Sequence, residues 1–179
     1  MKKVMMAVAI VCAAVVTHAA QVTWSANTIA STGSTSYYAM FLDVTGIAGA
    51  TAESVAMSII DGSFTGNTVY EGAAVYNATK DQVAVAFSKK TANGEYANEQ
   101  SISYMTILFD AATVADAQNY LVTSGDTPAT GTFSAAGLLA VAQGSQAGKT
   151  WTAVAVPEPT SGLLMLVGLA GLALRRRRA

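Results

Sequence analysis

Apolar and polar side chains alternate along much of residues 20–155 of this 179-residue chain. This spacing is typical of strands that bury one face and expose the other. Asn93-Gly94, a pair favoured in hairpin turns, precedes the most apolar of these segments. The alternation predicts strands at residues 21–25, 37–44, 69–76, 82–88, 102–109, 132–142 and 150–154.

Two segments show the wider spacing of helices. Thr51 is suited to cap a helix that stops at Asp61-Gly62, although residues 55–59 also alternate as a strand would. Asp110 is suited to cap a second helix, whose single apolar face would be formed by Val114, Gln118 and Leu121.

The predicted core is thin. Val, Ile, Leu and Phe make 28 of the 137 residues from 20 to 156, near the roughly 20% at which disorder begins to prevail. Seven Tyr and two Trp add bulk, and two packed sheets bury small and medium side chains efficiently. We therefore expect a mainly β (α+β) domain, resembling a β-sandwich with two short helices.

The first nineteen residues have the three parts of a secretory signal peptide. Lys2-Lys3 is followed by an uncharged apolar run over 4–16, and small residues at Thr17 and Ala19 fit a cleavage site. We expect the Sec translocon to export the chain and signal peptidase to cut after Ala19, with a cut after Ala20 or an uncleaved anchor as alternatives.

The carboxyl end combines three features within 24 residues. Two prolines hold a short exposed strip extended, the uncharged segment 162–174 predicts a transmembrane helix, and four arginines predict a cytoplasmic stop-transfer signal. The strip is formed by Pro157, Glu158 and Pro159, and the basic end by Arg175, Arg176, Arg177 and Arg178.

The order of these features over Val156 to Ala179 resembles the PEP-CTERM sorting signal of Gram-negative bacterial proteins. The same segment is sometimes labelled an ice-binding protein C-terminal domain, a label that concerns only the tail. The resemblance implies transient residence in the inner membrane and cutting near Pro157-Glu158-Pro159 by an exosortase, a membrane-embedded, transpeptidase-like cysteine enzyme. It also implies a final place at the cell surface or in an extracellular, exopolysaccharide-rich biofilm matrix.

Residues 20–156 lack the side chains that most enzymes use. Cys12 and His18 both lie in the leader, so the remainder cannot assemble a Ser-His-Asp triad, a Cys-His pair or a His/Cys zinc site. Charged residues make 12% of the chain, about half the usual fraction of roughly 25%, which disfavours nucleic acid as a partner. Four lysines against ten acids give residues 20–156 a net charge of −6. The glycine-rich segment 144–150 departs from the phosphate-loop spacing and predicts a turn between strands.

The remaining candidates are carboxylates and aromatic rings. Ten acids permit a glycosidase pair, but nothing in their spacing points to one. The alternating Asp ligands of an EF-hand are absent, although scattered carboxylates could bind calcium weakly at a loop. Side-by-side aromatic faces would bind a glycan, and the candidates are Tyr70, Tyr76, Trp24 and Trp151. The same rings would otherwise fill a core that is short of leucine.

We therefore expect a non-catalytic structural protein of the surface or matrix, with no cofactor and no metal. A small secreted carbohydrate-binding module or adhesin that associates with exopolysaccharide is the alternative. A carboxylate-pair glycosidase is the third possibility.

Overall fold

The computed structural model describes residues 19–154 and is mainly β. One α-helix, α1 (Ala52–Ile60), and one short 3₁₀ turn (Val114–Asp116) accompany the strands. The strands are β1 (Gln21–Ala30), β2 (Tyr37–Asp43), β3 (Asn67–Asn77), β4 (Gln82–Thr91), β5 (Ser101–Phe109), β6 (Asn119–Val122), β7 (Ala129–Thr132), β8 (Leu138–Ser145) and β9 (Thr152–Ala153).

All nine strands belong to one sheet of order β8-β1-β4-β3-β2-β5-β6-β9, with β7 also paired to β5. Every pair is antiparallel except β1 with β8. The long strand β3 joins the two halves, because it pairs with β2 up to Ala74 and with β4 from Val75 onward. The expected sandwich of two separate sheets is therefore wrong in its connectivity, since a single sheet curls over the core.

The inner face of the curled sheet holds the larger of two cores. Its aromatic members include Trp24, Phe41, Phe87 and Phe133, which come from strands on both sides of β3 or from the chain beyond β7. Trp24 lies edge-on to Phe41 and Phe87, with ring centroids 6.0 and 5.6 Å apart. Aromatic rings thus supply the volume that the few leucines cannot.

A second core covers the outer face of β2 and β5. Met40, Leu42, Met105 and Ile107 pack there against α1. Both strands are consequently buried on two faces, which explains why their sequences are nearly continuous apolar runs rather than alternating ones.

The first predicted helix is confirmed. The Thr51 side chain accepts a hydrogen bond from the backbone of Ser54, and the Ser54 side chain accepts one from the backbone of Thr51. The helix ends at Ile60, with Asp61 as its C-cap. This reciprocal cap satisfies backbone donors that the first turn would leave unpaired.

The second predicted helix is wrong. Only the short 3₁₀ turn forms, and Leu121 belongs instead to β6. Asp110 does act as a cap, but of a loop: its carboxylate accepts hydrogen bonds from the backbone nitrogens of Gln118 and Asn119 at 2.9 and 2.8 Å. These bonds turn the chain back so that β6 can pair with β5.

Two further boundaries differ from the expected ones. Asn93-Gly94 forms a turn, with Gly94 at a φ of +101°, but no hairpin, because β4 pairs with β1 and β3 rather than with β5. The predicted strand 132–142 is divided into β7 and β8 by a turn in which Gly137 donates to the carbonyl of Ser134.

Within residues 19–154, no helix is long and apolar enough to cross a membrane. The predicted signal segment 1–18 and the predicted transmembrane helix 162–174 lie outside the described residues.

Candidate functional site

The four rings predicted to form a glycan platform do not lie together. Trp24 is fully buried, so it has no face to offer and its assignment to the platform is corrected. Tyr70 and Tyr76 do share a face of β3, but it is the inner face, where Tyr70 lies edge-on to Phe87 at 4.8 Å. Tyr76 and Trp151 remain half-exposed at the rim of the core.

These two rings form a cluster with the buried ring of Tyr37, which the sequence did not single out. The centroid of Tyr37 lies 6.0 Å from that of Tyr76 and 5.6 Å from that of Trp151, and the planes are tilted by about 40° in both pairs. The indole nitrogen of Trp151 donates to the carbonyl of Ala30 at 2.7 Å, which fixes the ring. We call Tyr37, Tyr76 and Trp151 the aromatic cluster.

A carboxylate at the β3–β4 turn holds this cluster in place. Asp81 accepts hydrogen bonds from the hydroxyls of Ser31 and Tyr76 at 2.5 and 2.9 Å. The bonds from Ser31 and Tyr76 lower the pKa of Asp81, and the same carboxylate raises the pKa of Tyr76. Asp81 is therefore a fixed anion that links the end of β1 to the end of β3.

A polar cleft of about 350 Å³ lies beside the same turn. It is lined by residues from β1, the end of β3, the turn and the start of β4, namely Asn27, Thr28, Asn77, Lys80, Gln82, Val83 and Ala84. We call this the polar cleft. The alternation of β1 and β4 directs Ala26 and Val83 to the core, so the side chains of Asn27, Gln82 and their neighbours lie on the outer face.

The cleft exists because β1 is irregular there. The register of β1 shifts between Ala26 and Ile29 against β4, and Thr28 has a φ of +59°. Bulges of this kind bend a strand and re-aim its side chains. A β-branched residue in this region costs of order 1–3 kcal/mol, a strain that is typical of functional sites.

Several side-chain groups of the polar cleft are available to a ligand. The Asn77 oxygen accepts from the backbone nitrogens of Thr79 and Lys80, which leaves its amide donors free. Thr28 donates to the side-chain oxygen of Asn27. Within residues 19–154, the ammonium of Lys80 and the amide of Gln82 have no hydrogen-bonding partner.

The glycine-rich segment 144–150 contains the predicted connection between strands, but it begins later than expected, because Gly144 and Ser145 still belong to β8. The ammonium of Lys149 donates to the carbonyls of Val122 and Thr123 at 3.1 and 2.9 Å, and partial burial lowers its pKa. This lysine therefore joins the segment to β6 and is unavailable to a phosphate. Among the described residues, no three His, Cys, Asp or Glu side chains come together as metal ligands would.

One end of the predicted signal-peptide site is visible. Ala19 is exposed, whereas Ala20 is buried and its carbonyl accepts a hydrogen bond from Ala92 at 2.8 Å. The other predicted processing residues lie outside the described part of the chain: Thr17, Pro157, Glu158, Pro159, Arg175, Arg176, Arg177 and Arg178.

Sequence reasoning missed the polar cleft, although a signal for it exists. Asn27 and Thr28 are adjacent polar residues that interrupt the alternation of β1, which is what an extra residue in a bulge does. No sequence pattern brings Lys80 and Gln82 beside them, because that contact depends on the pairing of β1 with β4.

Comparison with known proteins identifies the tail. Residues 155–178 match the family model described as the PEP-CTERM protein-sorting motif. The chain therefore carries this motif, which implies an exported protein with a transient membrane anchor that is processed by an exosortase. Neither the curated proteins nor the solved structures contain a match to the chain.

Proposed function

We propose that the chain is a non-catalytic structural protein of the cell surface or extracellular matrix, which an exosortase releases from its membrane anchor. The sorting motif at residues 155–178 is the observation that carries this proposal. Val154, the residue before the motif, is tied to the folded domain by a hydrogen bond to Gln118 at 2.8 Å. A cut near Pro157-Glu158-Pro159 would therefore leave the β domain complete.

The amino-terminal end of the domain supports the expected leader cleavage. A cut after Ala19 preserves the buried Ala20 and the hydrogen bond of its carbonyl to Ala92, whereas a cut after Ala20 removes both. The proposed mature protein thus runs from Ala20 to the region of residues 157–159. The absence of His and Cys from residues 20–156 supports a role without catalysis.

Mass spectrometry of the full-length chain, expressed in a host with an exosortase and in its exosortase-deficient sister, tests the sorting. We expect the extracellular product to begin at Ala20 and end near residues 157–159 only when the exosortase is present. A Glu158→Ala variant should be retained in the membrane, while Glu95→Ala, in an exposed loop of the domain, should be processed normally. Intact tails in both hosts would contradict the proposal.

Fractionation tests the final location. We expect the processed form to co-purify with extracellular polysaccharide and to leave it in high salt or detergent. Recovery in the periplasm alone would remove the matrix role but leave the sorting intact.

The aromatic cluster favours a second candidate, a small carbohydrate-binding module or adhesin. Half-exposed aromatic faces are the surfaces on which sugar rings stack, and Tyr76 and Trp151 are held in place by Asp81 and Ala30. Because Trp24 is fully buried, Trp151 is the indole that a bound glycan would reach. If a glycan quenches tryptophan fluorescence and Trp151→Phe abolishes the quenching, this candidate is supported. Quenching that survives the substitution would exclude the aromatic cluster as the binding surface.

A further inference from the structure

We propose that the polar cleft binds an acidic sugar unit, with Lys80 pairing with its carboxylate and the cleft amides bonding its hydroxyls. This inference rests on the glycan-binding candidate for the class of ligand, but it uses a different surface. The cleft lies on the outer face of the sheet, whereas Tyr76 packs toward the inner face, so each surface can be disabled separately.

The size of the cleft fits one or two sugar rings. Its volume of about 350 Å³ is near the lower end of the range of small-molecule sites, and it is open on one side. An open site of this size suits one unit of a chain that continues into solvent at both ends.

The lining of the cleft selects a hydroxyl-rich ligand. Asn27, Asn77 and Gln82 offer amide groups and Thr28 offers a hydroxyl, which are groups that form hydrogen bonds with sugar hydroxyls. Val83 and Ala84 are the apolar residues among those that line the cleft. No aromatic residue is among them, so the cleft offers no aromatic face for a nucleobase.

The charge of the cleft selects an anion. Lys80 is the cation in the lining, and no carboxylate is among the lining residues. The carboxylate of Asp81, next in sequence, is engaged by Ser31 and Tyr76 instead. The net charge of −6 on residues 20–156 acts over longer distances, where salt screens it beyond about 8 Å, so the contact with Lys80 dominates.

The backbone around the cleft is fixed before any ligand arrives. The Asn77 side chain holds the turn through the backbone of Thr79 and Lys80 at 3.1 and 3.2 Å. On the opposite wall, the carbonyl of Asn27 accepts a hydrogen bond from the backbone of Gln146 at 2.8 Å. Binding would then cost little ordering of the chain, apart from the Lys80 side chain.

Calorimetric titration of the released extracellular protein with a galacturonic acid oligomer tests the proposal. Lys80→Gln removes the charge while keeping a polar side chain, and Lys90→Gln, at the far end of β4, is the matched control. We expect Lys80→Gln to weaken binding about tenfold, as the loss of one charge-assisted hydrogen bond should, and Lys90→Gln to leave it unchanged. Binding should also weaken with added salt and with the methyl ester of the same oligomer.

The contrary results are distinct. Equal losses in the two lysine variants, equal affinity for inorganic phosphate, or no binding of the oligomer would overturn the cleft as an acidic-sugar site. If Trp151→Ala abolished glycan binding and Lys80→Gln did not, the glycan-binding candidate would stand while this inference fell. Mass spectrometry measures processing by the exosortase separately, so that result is independent of all these outcomes.

Discussion

The side-chain nitrogen of Gln143 on β8 donates a hydrogen bond of 2.7 Å to the hydroxyl of Thr106 on β5. Thr106 is fully buried and is also bonded to the Thr123 hydroxyl at 2.7 Å, while the Gln143 oxygen accepts from the indole of Trp24 at 2.9 Å. A short polar network thus joins both halves of the curled sheet through the core. Buried networks of this kind stabilise a fold only when each member is paired.

Replacing Thr106 with Val should therefore destabilise the domain. The substitution keeps the shape but removes the hydroxyl that accepts from the Gln143 nitrogen. The Thr123 hydroxyl then retains only its long bond of 3.4 Å to the Thr106 carbonyl, so we expect a cost of about 1–3 kcal/mol. Urea denaturation of the extracellular form measures this loss in the free energy of unfolding. Thr106→Ser, which restores the hydroxyl, should recover more than half of the loss, and equal losses in the two variants would show that packing, not hydrogen bonding, matters at this position.

Replacing Thr28 with glycine should relieve backbone strain and stabilise the domain, while it removes a hydroxyl from the polar cleft. Glycine adopts a φ of +59° without the clash of a β-branched side chain, and the relief outweighs the greater freedom of the unfolded chain by about 1 kcal/mol. Thermal unfolding of Thr28→Gly beside Thr130→Gly, at a regular position of β7, separates strain from the general cost of glycine. We expect the first to gain stability and the second to lose it.

Stability should fall at alkaline pH because two tyrosines have raised pKa values in the folded state. Partial burial, with the charge of Asp43 adding to it, raises the pKa of Tyr96 from 10.0 to about 12, and burial followed by the charge of Glu71 raises that of Tyr38 to about 12. Because the folded state holds these protons more tightly, their contribution is fully present below pH 10 and is lost as the pH rises through about 12.

Urea midpoints measured between pH 9 and about 12 test this dependence. The decline should be shallower in Tyr96→Phe, which cannot titrate, and unchanged in Thr23→Ser. A slope that Tyr96→Phe leaves intact would assign the alkaline transition to other groups.

The loop anchored by Asp110 should weaken at acidic pH. Partial burial acts to raise the pKa of Asp110, but hydrogen bonds from the Asn119 side chain and the backbone of Asn119 and Gln118 outweigh it and lower the pKa. The contribution is present above the ordinary aspartate pKa of 3.8 and is lost as the pH falls through the lower folded value. The protection of the Asn119 amide against hydrogen exchange, relative to its intrinsic rate, should fall there in the wild type, whereas Asp110→Ala should show weak protection at every pH.

Elements governed by local chemistry were predictable. The Thr51 and Ser54 cap identifies α1 because its hydrogen bonds lie within four residues, and β2 follows from its apolar run. The helix predicted after Asp110 failed for the opposite reason. The spacing of Val114, Gln118 and Leu121 fits a helix, but Leu121 packs better in β6, opposite Leu108.

The candidate sites divide in the same way. Tyr76 and Trp151 were named from their residue types. Tyr37, which brings them together, could not be named, because its contacts connect β2 to the end of β3 and to the residue just before β9. Trp24 could not be told from a surface ring by sequence, since alternation shows that two faces differ without showing which one is buried.

The parallel pairing of β1 with β8 has a consequence for the timing of export. Trp24 and Gln143 are 119 positions apart, so β1 can pair with β4 but cannot pair with β8 until almost the whole domain has been translocated. Loops of that length close slowly, and the unpaired strands attract other chains meanwhile. A sorting motif directly behind the domain would keep the emerging polypeptide tethered to the bilayer and apart from its copies during this interval, so that severance by the exosortase liberates a finished molecule.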